Sequence, residues 1–309
     1  ELESRIRDEE RKVLAELSAL VAEEASALNQ VVAVLRALDL ALARGRYGRW
    51  LGGVEPQLEA AAEAPFRFSG LRHPLLVWQH KRAEGPPVVP ISVEVSPELR
   101  VVAITGPNTG GKTVTLKSIG LAALMARAGM LLPCSGQPSL PWCAQVLADI
   151  GDEQSLQQSL STFSGHVKRI GRILEALQRG GSPALVLLDE VGAGTDPSEG
   201  TALATALLKA LADRARLTIA TTHFGELKAL KYEDARFENA SVAFNPETLS
   251  PTYELLWGIP GRSNALAIAT PLGLDSDVLH QAQQLLAPGG DGEVNSVIRG
   301  LEEQRQRQQ

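Results

Sequence analysis

Between Glu1 and Arg44 the chain contains neither proline nor glycine, and apolar residues recur at Leu14, Leu17, Val21, Leu28, Val31, Leu35, Leu38 and Leu42. Steps of three and four residues place one apolar seam along a helix, with Glu24 the one polar residue in register. Residues 1–44, if wholly helical, would extend about 65 Å at roughly 1.5 Å per residue, a length suited to a coiled-coil lever. A helix lying along a bundle shows the same spacing. Gly45, Gly48 and Gly52-Gly53 punctuate the next stretch, and Gly85-Pro86-Pro87 with Pro90 marks a loop leading into extended sequence.

The pattern then changes. Val101 to Thr105 is a short β-branched run that reads as a buried strand, and Ala184 to Asp189 and Leu217 to Thr221 read the same way. Lys112 to Arg127 and Val167 to Leu177 read as helices between them, which predicts a mostly parallel α/β sheet. Later strands are expected at Val242 to Phe244 and Thr252 to Leu256, and helices at Asn264 to Ala269 and Ser276 to Leu286. Pro288 to Gly292 is a break, and Glu293 to Gln309 restarts a polar helix.

Composition narrows the class. With 309 residues, 44% hydrophobic and 21% charged, the chain can bury at least one substantial core. A net charge of -6 shows no general affinity for nucleic acid or anionic membrane, while leaving room for a local basic patch. The apolar run from Leu121 to Ala126 is cut by Arg127, and no segment reaches the roughly 20 apolar residues that span a bilayer, so no membrane partner is expected. Cys134 and Cys143 have neither a CxxC pair nor neighbouring histidines, which points to neither a disulfide scaffold nor a zinc site. A start at Glu1 without a signal sequence suggests a piece of a longer cytoplasmic protein.

Four segments carry chemistry. Gly106-Pro107-Asn108-Thr109-Gly110-Gly111-Lys112-Thr113 satisfies GxxxxGK[ST] and lies between an expected strand and an expected helix. There the glycines turn backbone N–H groups toward phosphate oxygens and the helix start adds favourable electrostatics. Lys112 would reach the β- and γ-phosphates of ATP, Thr113 would place its hydroxyl on Mg2+, and Val114 completes the nucleotide-binding set. Leu185 to Glu190 is an apolar strand ending in two carboxylates: Asp189 as a Mg2+ partner, direct or through water, and Glu190 to orient or deprotonate the attacking water. Thr221-Thr222-His223 closes a third strand and would bring an imidazole to the same sheet edge. Ser159 to His166 is a hydroxyl-rich patch before a helix, where Ser161 or Thr162 is either an N-cap or part of an anion site; spacing alone does not choose.

Taken together these residues resemble the MutS branch of the ABC-type P-loop ATPases, and more narrowly its MutS-two subfamily. The resemblance rests on Gly106-Pro107-Asn108 opening the P-loop, Arg72-His73-Pro74 upstream, and Ser161-Thr162-Phe163 in the place of the ABC signature. It rests further on Leu188-Asp189-Glu190, the D-loop Gly194-Thr195-Asp196-Pro197, the switch Thr222-His223, and Gly258 to Asn264. The Gly-Gly-Lys-Thr P-loop and Gly-Ala-Gly-Thr-Asp-Pro D-loop favour MutS-two over mismatch-repair MutS. The resemblance implies an ABC-type fold with a mixed, mostly parallel sheet flanked by helices. It also implies a homodimer with ATP between two ATPase domains, Ser161 of one subunit reaching the γ-phosphate bound by the other. Asn108 would help position nucleotide or water, Val88 would offer an aliphatic base contact, and Gly258 to Ala269 would form a helix-turn-helix exchanged between subunits.

The expected organisation is a lever over residues 1–64, the ATPase domain with its dimerisation element over 65–287, and the start of a linker over 288–309. A mismatch-reading domain with a Phe-x-Glu wedge is not visible, and the family's Smr nuclease domain would follow the coil near Glu293. Family roles in suppressing homologous recombination on branched DNA, or in ribosome rescue with rRNA contact, therefore attach to the parent protein. An ABC transporter ATPase subunit is disfavoured because LSGGQ is missing, and an inert interaction protein because Lys112, Asp189 and Glu190 are all in place.

Overall fold

The computed structural model describes residues 2–60, 64–82, 85–106, 111–151, 162–179, 183–245, 250–258, 269 and 273–286. The chain divides into two compact units, Glu1–Trp50 and Leu51–Gln309.

The first unit consists of consecutive helices α1 (Leu2–Glu23) and α2 (Ala25–Leu51). They part at Glu24, and the helical bonding resumes at once through Leu28 N–H to Glu24 O at 3.0 Å. Gly45 and Gly48 do not end the helix as the glycine spacing suggests; α2 continues to Leu51 and turns at Gly52, whose φ is +67°. An interior glycine costs only about 1 kcal/mol relative to alanine, and a flanking apolar helix absorbs that. Seam residues Leu14, Leu17, Val21, Leu28, Val31, Leu35, Leu38 and Leu42 are all exposed, and α1 buries no residue, so the described chain shows the seam without a coiled-coil partner. The expectation that no segment could span a bilayer needs correction: α2, with 27 residues, is long and apolar enough by length and composition. Within its apolar stretch, Ser26 to Ala43, the charges Arg36 and Asp39 are spread among alanine, valine and leucine, so no uninterrupted apolar run marks it.

The second unit runs β1 (Gln57–Glu59), β2 (Phe66–Leu71), α3 (Pro74–Lys81), β3 (Ile91–Val95), β4 (Val101–Thr105), α4 (Lys112–Arg127), β5 (Ser139–Pro141), β6 (Gln145–Asp149), α5 (Thr162–Arg179), β7 (Ala184–Leu188), α6 (Pro197–Arg214), β8 (Leu217–Thr221), α7 (Leu230–Glu233), β9 (Phe237–Asn245), β10 (Ser250–Trp257) and α8 (Ser276–Leu286). A four-stranded sheet has the order β1-β5-β2-β3, and a six-stranded sheet the order β10-β9-β4-β8-β7-β6. In the larger sheet β9, β4, β8, β7 and β6 run parallel and β10 returns antiparallel to β9, a mixed and mostly parallel sheet as expected.

Every residue of β4, β7 and β8 is buried because helices cover both faces, and this is why these strands read as continuous apolar runs. Alternation along β7 divides its contacts: Val186 and Leu188 pack with Ile173 and Leu177 of α5 and Leu208 and Leu211 of α6, while Leu187 meets α4 at Gly120. β6 is the partly exposed edge strand, and its mixed pattern gave no clear signal. The order β4-β8-β7 sets three carboxyl ends side by side, where open α/β sheets place their ligands.

Candidate functional site

Gly106 leaves β4 with φ +130°, and Gly111 caps α4 with φ +85°. Both values lie where a side chain would be strained, so glycine is required at the two hinges of the loop. Pro107, Asn108, Thr109 and Gly110 lie outside the described residues, as does Ser161. Lys112, the first residue of α4, is 2% exposed and its Nζ donates to Gly106 O. Burial pushes its pKa down, and the negative charges of Glu190 and Asp189 oppose that shift.

The next residue, Thr113, donates through Oγ1 to Asp189 Oδ2 at 2.8 Å. Asp189 Oδ1 accepts a second hydroxyl, Thr221 Oγ1 at the end of β8, and Thr221 Oγ1 in turn accepts from Glu190 N–H at 2.8 Å. Thr221 thereby ties the two carboxylate-bearing residues together, a part that the β-branched run from Leu217 to Thr221 did not disclose. Glu190 sits at φ +52°, the one described non-glycine residue in the left-handed region. Such a backbone costs about 1–2 kcal/mol and turns the side chain away from the strand direction. Its Oε1 lies 3.5 Å from His223 Nε2, an ion pair when the imidazole is protonated. His223 is two residues past the end of β8, at the expected sheet edge.

The D-loop segment is shaped by local chemistry. Asp196 caps α6 by accepting from Ser198 N–H at 2.9 Å and Glu199 N–H at 3.2 Å, and Pro197 occupies the first turn, where its missing N–H is harmless. Gly192 and Gly200 pack backbone against backbone; a Cβ on Gly192 would stand 2.7 Å from Gly200 O.

Beside α4 lies a cavity of about 250 Å3 lined by Leu71, His73, Val88, Val89, Ile91 and Val114. It reaches Gly111 at the end of the loop. Val88 thus faces an apolar space next to the P-loop, where an aliphatic base contact is expected. His73 is 9% exposed, with no hydrogen-bond partner for Nδ1 among the described residues, and burial and Lys117 lower its pKa.

Sequence reading also missed Asp149, 2% exposed at the end of β6. Its Oδ2 lies 2.7 Å from His166 Nδ1, and its Oδ1 accepts from Arg169 Nε. The available signal was a carboxylate closing Val146-Leu147-Ala148, the same arrangement as at Asp189.

Among the described residues no three His, Cys, Asp or Glu side chains converge on a metal position. The Thr113 hydroxyl and Asp189 carboxylate nevertheless fit Mg2+, a hard cation that takes a few protein oxygens and completes its shell with water and phosphate.

A strand, a glycine-hinged loop, a helix that opens on a buried lysine and a threonine, and a carboxylate bonded to that threonine from the end of β7, one strand beyond β8, define a P-loop nucleotide-binding domain of the ATPase type. The family description MutS domain V matches residues 102–288. The chain is 57% identical over 317 residues to Endonuclease MutS2 of Synechocystis sp., an alignment covering 97% of this chain and 38% of that protein. It is 46% identical over 301 residues to Endonuclease MutS2 of Symbiobacterium thermophilum, covering 97% and 36%. For Endonuclease MutS2 of Thermomicrobium roseum the identity is 45% over 308 residues, covering 98% and 38%. The chain belongs to the MutS family and, within it, to the MutS2 subfamily. It spans under two fifths of the length of these relatives.

Proposed function

We propose that this chain is the ATP-hydrolysing switch of a MutS2-type protein, working as a homodimer with one ATP between two ATPase domains. The observation that carries the reading is the chain of contacts from Thr113 through Asp189 and Thr221 to Glu190, set beside the buried Lys112. Lys112 neutralises the β- and γ-phosphates, and the backbone N–H groups of Gly111, Lys112, Thr113 and Val114 at the start of α4 cradle them. Thr113 and Asp189 would hold Mg2+, which would supply charge stabilisation to the phosphates when bound. Glu190 orients a water and takes its proton as the water oxygen bonds to the γ-phosphorus and the bond to the ADP oxygen breaks. His223, facing Glu190, holds the carboxylate and the phosphate side in register.

In this reading Ser161, immediately before α5, completes the partner subunit's site, and residues 1–64, 65–287 and 288–309 serve as lever, motor and linker. The work is done in the cytoplasm on branched DNA or on a ribosome, through parts of the whole protein beyond this chain. Glu190→Gln tests the core of the proposal: fluorescent ATP should still bind while turnover falls by about two orders of magnitude or more. Wild-type turnover in that variant would sink the assignment.

A further inference from the structure

Asp149 is a buried carboxylate that joins two elements of the site, and neither the P-loop nor the paired acids account for it. Its backbone O accepts from Asp189 N–H at 2.9 Å, so it is bonded directly to the residue that carries the Mg2+-side carboxylate. Its side chain meets His166 and Arg169, the fifth and eighth residues of α5. The two partners also approach each other, with Arg169 Nη2 3.4 Å from His166 Nδ1. A Cβ on Gly151, just beyond β6, would stand 3.7 Å from His166 Cε1 and 3.9 Å from Arg169 Nη2. Asp149, His166, Asp189 and Glu190 border one small crevice together with Phe163.

This cluster is an expensive way to attach a helix. Burying a carboxylate costs several kcal/mol before its partners compensate, and a well-packed apolar group is often as stable or more so. Attachment itself is already secured lower on α5, where Ile173 and Leu177 enter the core. What these contacts add is direction: two bonds to one carboxylate fix both the rotation and the axial position of the end of α5 that comes after Ser161 in the chain.

We infer that Asp149 is a positioning residue of the hydrolytic site, holding the start of the signature helix in a set relation to Asp189 and Glu190. The inference rests on the ATPase reading above. It makes the carboxylate end of β7 and the helix that serves the partner's nucleotide move as one piece.

The test is steady-state ATP turnover, fluorescent-ATP binding and thermal melting of the full chain carrying Asp149→Asn. Turnover should fall about tenfold with KM and nucleotide affinity within roughly twofold, the pattern of an interaction lost only in the transition state. The double variant Asp149→Asn/Arg169→Ala should fall no further than the more impaired single variant, and Arg169→Lys should recover part of the loss seen in Arg169→Ala. Unchanged turnover in Asp149→Asn, additive losses, or affinity falling in step with turnover would each overturn the inference. Should Asp149→Asn fail to fold, His166→Gln and Arg169→Lys carry the same comparison, with turnover expected to fall several-fold at constant KM. Wild-type protein and Glu190→Gln run alongside: no turnover in the wild type defeats the ATPase reading itself, whereas a normal wild type, an inactive Glu190→Gln and an unaffected Asp149→Asn defeat this inference alone.

Discussion

Thr113 Oγ1 and Asp189 Oδ2 lie 2.8 Å apart, linking the first turn of α4 to the residue that closes β7. The bond sets side by side the two oxygens proposed to hold Mg2+. Thr113→Val keeps the shape of the side chain and removes the hydroxyl, leaving one carboxylate oxygen of a nearly buried Asp189 without its donor. Stability should drop by about 1–3 kcal/mol, and the Mg2+ concentration needed for half-maximal turnover should rise at least tenfold. Thr113→Ser should restore both. A Mg2+ titration of turnover, paired with urea unfolding of the three proteins, decides the matter.

Lys112 separates function from stability. Its lowered pKa means that burial outweighs the attraction of Asp189 and Glu190, so folding disfavours the charge proposed to meet the phosphates. Lys112→Met, of similar length and without charge, should melt no lower than the wild type while losing nucleotide affinity by about two orders of magnitude or more. A wild-type affinity in this variant would remove Lys112 from the phosphate cradle.

Glu190 carries both a backbone cost and a proposed chemical role, and two substitutions divide them. Glu190→Gln preserves the left-handed backbone at φ +52° and removes the base; Glu190→Gly removes the base and the steric cost together. Both should be inactive in turnover, but the glycine variant should melt at or above the glutamine variant. A clearly lower melting temperature for Glu190→Gly would show that the side chain is needed to hold the turn.

The parts legible in the sequence were those where a local rule and the fold agree. β4 and β8 match their expected bounds because fully buried parallel strands demand an unbroken β-branched run, and α4 begins at the lysine because the glycine-hinged loop can lead nowhere else. Asp189 and Glu190 could be read because two acids come directly after five apolar residues. Thr221 and Asp149 could not, since their importance comes from register: Asp149 pairs opposite Leu188 only once β6 is laid beside β7. The helix through Gly45 and Gly48 shows the opposite failure, a local rule overruled by an apolar context.

Gly200 tests whether the D-loop is seated by backbone contact. It lies in the first turn of α6 against Gly192 O, with the Phe224 ring 3.2 Å from where its Cβ would stand. Gly200→Ala cannot be absorbed by swinging a side chain aside, because the obstruction is the main chain of residue 192. A loss of about 1–3 kcal/mol in urea unfolding is expected, together with reduced turnover as the segment beside Glu190 is displaced. Alanine at Gly171, whose Cβ would meet nothing within 4 Å, is the control and should leave stability equal to or above the wild type.

His73 gives the acid limb of stability a specific contributor. Burial and the neighbouring Lys117 hold its pKa below the ordinary value of 6.5, so the folded protein keeps the imidazole neutral where the unfolded chain would protonate it. The unfolded state therefore binds more protons, and stability is fully present above pH 6.5 and falls as the pH drops from there toward the lowered folded value. Acid acts on the whole protein, so the informative quantity is a difference between two proteins. His73→Asn keeps a polar group at the head of α3 and cannot charge. Between about pH 7 and pH 5, the urea midpoint should fall less for His73→Asn than for the wild type. Equal falls would mean that the imidazole is solvated or paired in solution and that the cavity beside the P-loop does not hold it neutral.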